Sequence, residues 1–402
     1  MAVRILSVTS SRADVGILLP VWEALAARHD IELHVLATGM HCAPDAPDPP
    51  IPAAAARHIG GADLGGGAGR DAASAMVACA QAVSDLLARM RFDCMLVIGD
   101  RLDMLPAAFA ATPYNVPIAH LHGGELTLGA IDDRARHAMS KLSHLHFASG
   151  REAAVRLACM GEEPWRILVT GAPGLDTLAR VPAMLAADFA AALSLPFADG
   201  FVLATVHPET NAPNSAAPMR AVLDALDASD APILFTAPNS DPGGLALRAM
   251  IEAFLVDHPK AAFRETLGPV LYPNALRHAV VMLGNSSSGL IEAGFFGLPV
   301  IDVGGRQTGR GSGGNVRHVS ADAAAVRAAL EAVLRARARH ARETPYGDGH
   351  AAPRIACALA RLPERERLLR KSFHYGTTPS FEVPWESGGP AAGESDRGAR
   401  AP

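Results

Sequence analysis

The stretch VVMLGNSSSGLIEA, residues 280–293, decides how this chain is read. Val280 to Leu283 make an apolar run too short for a helix, the next six residues turn the chain, and Leu290 onward takes helical spacing. A buried strand entering a helix through a tight turn is the repeating unit of a parallel α/β sheet. The turn Gly284-Asn285-Ser286-Ser287-Ser288-Gly289 also carries chemistry. Backbone N–H groups and hydroxyls at a helix start can cradle a diphosphate without a Walker lysine, and none is present. One Ser suffices as a cap, so three in succession between glycines point to a ligand, with Ser286 and Ser287 foremost. Glu292, one turn into the helix, is placed to accept from a ribose hydroxyl.

Outward from this unit the same alternation recurs. Residues 201–205, 232–236 and 300–303 read as further strands of the same series, with helices between them. In the first half, 3–8, 32–37, 94–98, 118–121 and 144–148 read as strands, and 17–27 and 72–89 as helices. At 402 residues the chain exceeds one ordinary core. The expectation is an α/β protein of two Rossmann-like domains, at 1–180 and 181–360, followed by a C-terminal segment at 361–380 and a disordered tail at 387–402. Residues 42–70 break the pattern with Pro and Gly and read as a mobile loop. The Ala/Arg-rich run at 321–342 is helical in composition.

Hydrophobic residues make up 49% of the chain but aromatics only 5%, which suits closely packed helices on sheets. A net charge of −5 argues against bulk capture of nucleic acid, while leaving room for a local phosphate site. The five cysteines form no CxxC pair, so neither a disulfide framework nor a zinc site is indicated, and no metal or cofactor is expected. No stretch reaches membrane-spanning length and no leader is visible, so the expected location is the cytoplasm.

In open α/β sheets ligands collect at the carboxyl ends of strands, and polar clusters follow the strands in both halves. After the first strand comes Ser10-Ser11-Arg12-Ala13-Asp14, which offers Arg12 and backbone amides to an anion. Gly99-Asp100-Arg101-Leu102-Asp103 and His120-Leu121-His122-Gly123-Gly124-Glu125 follow, then Asp132-Asp133-Arg134 with Arg136 and His137. Such a density of titratable groups beside a Gly-Gly pair, which lets the backbone approach something closely, favours a site over a solvated charged face. The second half adds His207-Pro208-Glu209, Asn239-Ser240-Asp241 and Arg306-Gln307-Thr308-Gly309-Arg310.

Taken in this order, these motifs resemble the hydrolysing UDP-N-acetylglucosamine 2-epimerases of sialic and legionaminic acid pathways, and the epimerase half of the animal bifunctional enzyme. The likeness spans roughly residues 4–320. It implies a glycosyltransferase-B-like arrangement with the UDP-sugar substrate in an interdomain cleft, a C-terminal helix packing back on the first domain, and a homodimer or homotetramer. By resemblance, Ser286, Ser287 and Arg12 hold the diphosphate and Glu292 the ribose. Asn239 and His207 hold the sugar-phosphate region, His207 counting with the catalytic set. Asp14, Arg101, His122, Arg306 and Arg310 complete the substrate-binding set, and Asp100, Glu125 and Asp132 are the acid/base carboxylates. His122 stands where some relatives carry Glu, Val15 where many carry Tyr, and Gly305 where some carry an acid.

The implied chemistry removes the C2 proton, expels UDP from C1 and hydrates the glycal with inversion at C2, giving N-acetylmannosamine from UDP-N-acetylglucosamine. Fixed donors for the leaving diphosphate and a positioned base meet that demand. Burial and mutual repulsion are expected to keep one carboxylate protonated. Four other readings stay open: the same reaction on a UDP-2,4-diacetamido-2,4,6-trideoxyhexose, non-hydrolysing epimerisation, a glycosyltransferase of similar fold, and a nucleotide-sugar sensor without catalysis.

Overall fold

The computed structural model describes residues 2–62, 70–99, 101–102, 104–127, 131–209, 214–238, 243–377 and 380–386, without the side chains of residues 12, 13, 70–72 and 131. The chain divides into two compact units, one of Met1–Glu125, Ala130–Thr177 and Tyr346–Pro402, the other of Leu126–Gly129 and Leu178–Pro345. The crossing at 177/178 lies close to the expected 180. The return comes already at Tyr346, ahead of the expected 361, for a reason visible in one side chain. Asp176, 1% exposed, accepts from the amides of Ala351 and Ala352 at 2.9 and 2.7 Å, capping helix Ala351–Ala360 from within the first unit. The tail at 387–402 lies outside the described residues.

The first unit holds a seven-stranded sheet of β1 (Val3–Thr9), β2 (Ile31–Ala37), β3 (Ala56–Ile59), β4 (Cys94–Ile98), β5 (Ile118–Leu121), β6 (Leu145–Ala148) and β7 (Ile167–Val169), in the order β3-β2-β1-β4-β5-β6-β7. The second holds β8 (Val202–Thr205), β9 (Ile233–Thr236), β10 (Ala261–Arg264), β11 (Val281–Gly284), β12 (Val300–Val303) and β13 (Val316–Val319), in the order β10-β9-β8-β11-β12-β13. Every pairing described is parallel. Helices cover the sheets, and each unit has its own apolar core. Central strands are buried along their length, so they read as continuous apolar runs.

Four strands went unread in the sequence, β3, β7, β10 and β13, and all four are sheet edges. β3 and β13 are largely exposed and carry polar residues such as Arg57 and His318, which removes the apolar signal. β3 also places regular structure inside the expected loop at 42–70, of which 63–69 lie outside the described residues. The Ala/Arg-rich helix is shorter than its composition implies, Ala323–Ala336, because Arg337 takes φ 45° and ends it. Among the described residues no helix is long and apolar enough to cross a membrane.

The C-terminal segment is held to the first unit by charge inside the protein. The Arg166 side chain, 0% exposed, donates to the carbonyls of His144, Arg367, Leu368 and Arg370 and to Glu163. Beside it the buried Glu162 carboxylate takes Lys141 at 2.6 Å, Lys371 at 2.7 Å and His146 at 3.0 Å. Burial alone would raise the Glu162 carboxyl, but these three donors bring it down to about 2 from an ordinary 4.5. A lowered carboxyl stabilises the fold above its unfolded value, and that contribution fades as pH falls from 4.5 toward 2. Glu162→Gln should therefore cost about 3 kcal/mol at pH 7, since it leaves the part-buried Lys371 and the buried His146 without their carboxylate. Denaturant unfolding of wild type and variant at several pH values checks this: the gap should narrow across that acid window, and equal stability at pH 7 would refute the role.

Candidate active site

Both sheets reverse strand order at one point, between β1 and β4 and between β8 and β11. Loops leaving neighbouring strands there diverge to opposite faces and open a crevice at the carboxyl ends. The motifs singled out from sequence flank these two points.

In the second unit the keystone is Asn285, fully buried after β11. Its amide donates to the His207 carbonyl at 2.9 Å and accepts from the His207 N–H at 2.7 Å, tying the ends of β8 and β11 together. Gln307 donates to the Asn285 carbonyl at 2.7 Å, drawing in the loop after β12. Gly284 is obligatory, since a Cβ there would lie 1.9 Å from the Thr205 carbonyl oxygen at φ 142°. Asn285 is thus scaffold.

The three serines divide their work. Ser286 caps the five-residue helix Ser287–Ile291, accepting from the Ser288 N–H at 3.4 Å. Ser288 donates to Glu292 Oε2 at 2.6 Å and bonds the Tyr272 hydroxyl. Ser287 is part-exposed, and its hydroxyl has no partner among the described residues. Burial raises the Glu292 carboxyl against the Ser288 hydrogen bond, and burial also raises the Tyr272 phenol, which stays a proton donor. Glu209 accepts from the amides of Gly305 and Arg306 at 2.7 and 3.0 Å, fixing the turn that carries Arg306. Arg310 spends its guanidinium on the Leu126 carbonyl and the Thr127 hydroxyl, at 2.9 and 3.1 Å.

In the first unit Asp14 completes a capping box. Its Oδ2 takes the Ser10 and Ser11 amides and the Ser10 hydroxyl, at 2.8–2.9 Å, while Ser11 Oγ accepts from the Asp14 N–H. His120, fully buried in β5, bonds the Gly99 carbonyl at 2.8 Å and lies 3.2 Å from the Ser140 hydroxyl, with burial lowering it to about 3, so it is neutral. It fixes the residue before Asp100. Just past β5, His122 adopts φ 61°, a region non-glycine residues rarely occupy, and its Nδ1 lies 2.6 Å from Glu125 Oε1. Both side chains are nearly buried, 13% and 12% exposed. Burial would raise the Glu125 carboxyl, yet His122 and Arg136 together hold it well below the carboxylate range. Glu125 is therefore not the protonated carboxylate expected. Asp133 gathers Arg136 at 3.4 Å and His137 at 3.3 Å on helix Ile131–Leu142, whose first turn carries Asp132.

The protein's own packing requires glycine at both positions of the Gly123-Gly124 pair. A Cβ on Gly123 would meet the His120 ring at 2.9 Å, and one on Gly124 the Ala153 carbonyl at 2.2 Å. Asp100 and Asn239 lie outside the described residues, as does the Arg12 side chain; Arg101 is described and part-buried. Three contributors escaped the sequence reading, namely His120, Glu209 and Tyr272. His120 and Glu209 sat in quoted motifs without a role, and Tyr272 lies in a helix with no local signal. Among the described residues no three His, Cys, Asp or Glu side chains gather to hold a metal ion.

Comparison with known proteins bears on this arrangement. The family pattern described as UDP-N-acetylglucosamine 2-epimerase matches residues 23–360. The chain is 33% identical over 378 residues to the UDP-N,N'-diacetylbacillosamine 2-epimerase (hydrolyzing) of Legionella pneumophila, covering 92% of this chain and 99% of that protein. It is 31% identical over 329 residues to the UDP-N-acetylglucosamine 2-epimerase of Neisseria meningitidis serogroup B, covering 78% and 83%. The fold matches the crystal structure of UDP-GlcNAc 2-epimerase from Neisseria meningitidis bound to UDP-GlcNAc with a TM-score of 0.73 at 17% identity, over 89% of this chain and 100% of that one.

The scaffold role of Asn285 is open to test. Asn285→Ala leaves the His207 N–H and carbonyl unpaired, at an expected cost of about 3 kcal/mol to the second unit. Denaturant unfolding measures it, and a loss under about 1 kcal/mol would mean that water replaces the amide.

Proposed function

Because the chain belongs to the UDP-N-acetylglucosamine 2-epimerase family, we propose that it hydrolyses a UDP-activated 2-acetamido sugar with inversion at C2. It releases UDP and the free sugar, and that sugar is a 2,4-diacetamido-2,4,6-trideoxyhexose. The observation that carries the chemistry is the nearly buried, ionised Glu125 at the end of β5, held anionic by His122 and Arg136. Removing a weakly acidic C–H needs negative charge kept in a water-poor site, which this pairing supplies.

In the reaction a base takes the C2 proton while the C1–O bond breaks, its electron pair leaving on UDP. The C2–H pair becomes the C1=C2 bond of a glycal. Water then delivers hydroxyl to C1, and a proton reaches C2 from the opposite face. UDP-sugar plus water becomes UDP plus the epimeric sugar. Ser287, Ser286, Arg306 and Arg12 hold the diphosphate, Glu292 the ribose, and His207 and Asn239 the sugar-phosphate junction. Asp100, Glu125 and Asp132 supply the acid and base groups, with Arg101, Asp14 and Arg310 supporting them.

The substrate order favoured by the relatives reverses the expectation from sequence. The diacetylbacillosamine enzyme matches more of the chain, at higher identity, than the N-acetylglucosamine enzyme. UDP-N-acetylglucosamine is the second reading, supported by that second relative. Incubation of the protein with each UDP-sugar in deuterated water, followed by NMR, separates the possibilities. The expected products are UDP and free sugar deuterated at C2, faster from the diacetamido substrate. An epimerised but intact UDP-sugar would mean non-hydrolysing chemistry, and turnover only with an added acceptor would mean a glycosyltransferase. Glu125→Gln should lower kcat by at least about 100-fold while UDP affinity, read by calorimetry, stays within about twofold. Near-normal turnover would remove Glu125 from the mechanism.

A further inference from the structure

We propose that the base which takes the C2 proton is His122, acting through its Nε2, with Glu125 as the carboxylate that orients it. The inference deepens the hydrolytic reading above and rests on it. His122 Nδ1 lies 2.6 Å from Glu125 Oε1, a distance that fixes the ring and sets its tautomer: a neutral imidazole donates from Nδ1 to the carboxylate and leaves the Nε2 lone pair open. Nε2 is buried and has no hydrogen-bond partner among the described residues. A buried polar atom left unpaired costs about 1–3 kcal/mol. The same residue carries a left-handed backbone at φ 61°, a second cost, here at the carboxyl end of β5. Two costs on one side chain at a ligand-collecting edge identify it as a group waiting for a substrate atom.

The arrangement follows the logic of a carboxylate-oriented histidine in nucleophilic and acid/base sites. Glu125 enters the acid/base set through the imidazole, because one of its oxygens is committed to His122 and the Arg136 charge lies close enough to steady the anion. An imidazole is the better base near neutral pH, and the carboxylate behind it stabilises the imidazolium once the proton has moved. The balance is simple. The C2–H bond breaks, its proton forms N–H at Nε2, and the C2 electron pair closes the double bond as UDP departs. The proton that later reaches C2 from the opposite face comes from another group, so solvent deuterium appears there.

His122→Asn separates the two ring nitrogens, since the Asn amide can replace Nδ1 toward Glu125 but has nothing at the Nε2 position. Turnover of the UDP-sugar identified above should fall about 100- to 10,000-fold, with UDP affinity within about twofold. In His122→Ala, added imidazole should restore at least about tenfold of the lost rate, which a structural role would not allow. If His122→Asn retains turnover within about threefold of wild type, or imidazole restores nothing to a folded His122→Ala, the assignment is overturned. Should His122→Asn fail to fold by circular dichroism, His122→Gln in the same assay decides by the same thresholds. Absence of wild-type turnover on either UDP-sugar overturns the hydrolytic reading itself and the assignment with it; wild-type turnover with active variants overturns only the assignment.

Discussion

Parallel alignment of strands is the constraint from which the rest of the molecule follows. It sends every strand's last residues to one edge, and where strand order reverses, the loops part and leave polar backbone groups uncovered. Those groups need partners, and the protein supplies them from a few buried side chains. Asn285 closes the ends of β8 and β11 on each other, and His120 closes β5 on Gly99. With the backbone satisfied in this way, the ligand contacts proposed above fall to neighbouring side chains such as Ser287, Glu292, His122 and Glu125.

Two buried glutamates illustrate how neighbours decide charge. Glu125 and Glu292 both lose water, and for both that loss is the largest influence on the carboxyl. Beside Glu125 stand an imidazole and a guanidinium, and the anion persists. Beside Glu292 stand only hydroxyls, and the carboxyl rises. The first environment suits proton chemistry, whereas the second suits hydrogen bonding to a neutral hydroxyl.

Central strands were legible because burial on both faces writes an unbroken apolar run. β4, β5 and β12 coincide with their sequence limits, and the other central strands fall within a residue or two of theirs. Edge strands were not, since β3 and β13 carry polar residues wherever the sheet meets solvent. The site was legible as a set of segments but not as a division of labour. Nothing in Ser286-Ser287-Ser288 says which serine caps, which joins Tyr272 to Glu292 and which stands free. Gly123-Gly124 read as room for a ligand because Ala153, whose carbonyl packs against Gly124, lies far along the chain. The early return of the chain was equally hidden, since Asp176 and Ala351 are far apart in sequence.

That return has a consequence for synthesis on the ribosome. Helix Ala351–Ala360 contributes Ala352, Ile355 and Leu359 to the core of the first unit, and Arg166 and Glu162 draw part of their hydrogen bonding from residues 367–371. The leading segments of the first unit are made before the second but cannot finish their core until it has been made, whereas residues 178–345 of the second emerge in one run. The nascent first half therefore waits with its core open and with Arg166 and Glu162 only partly paired, exposed to chaperones or to misassembly. Completion of the first unit therefore follows synthesis of the second, which ties the appearance of a finished first core to residues beyond Tyr346.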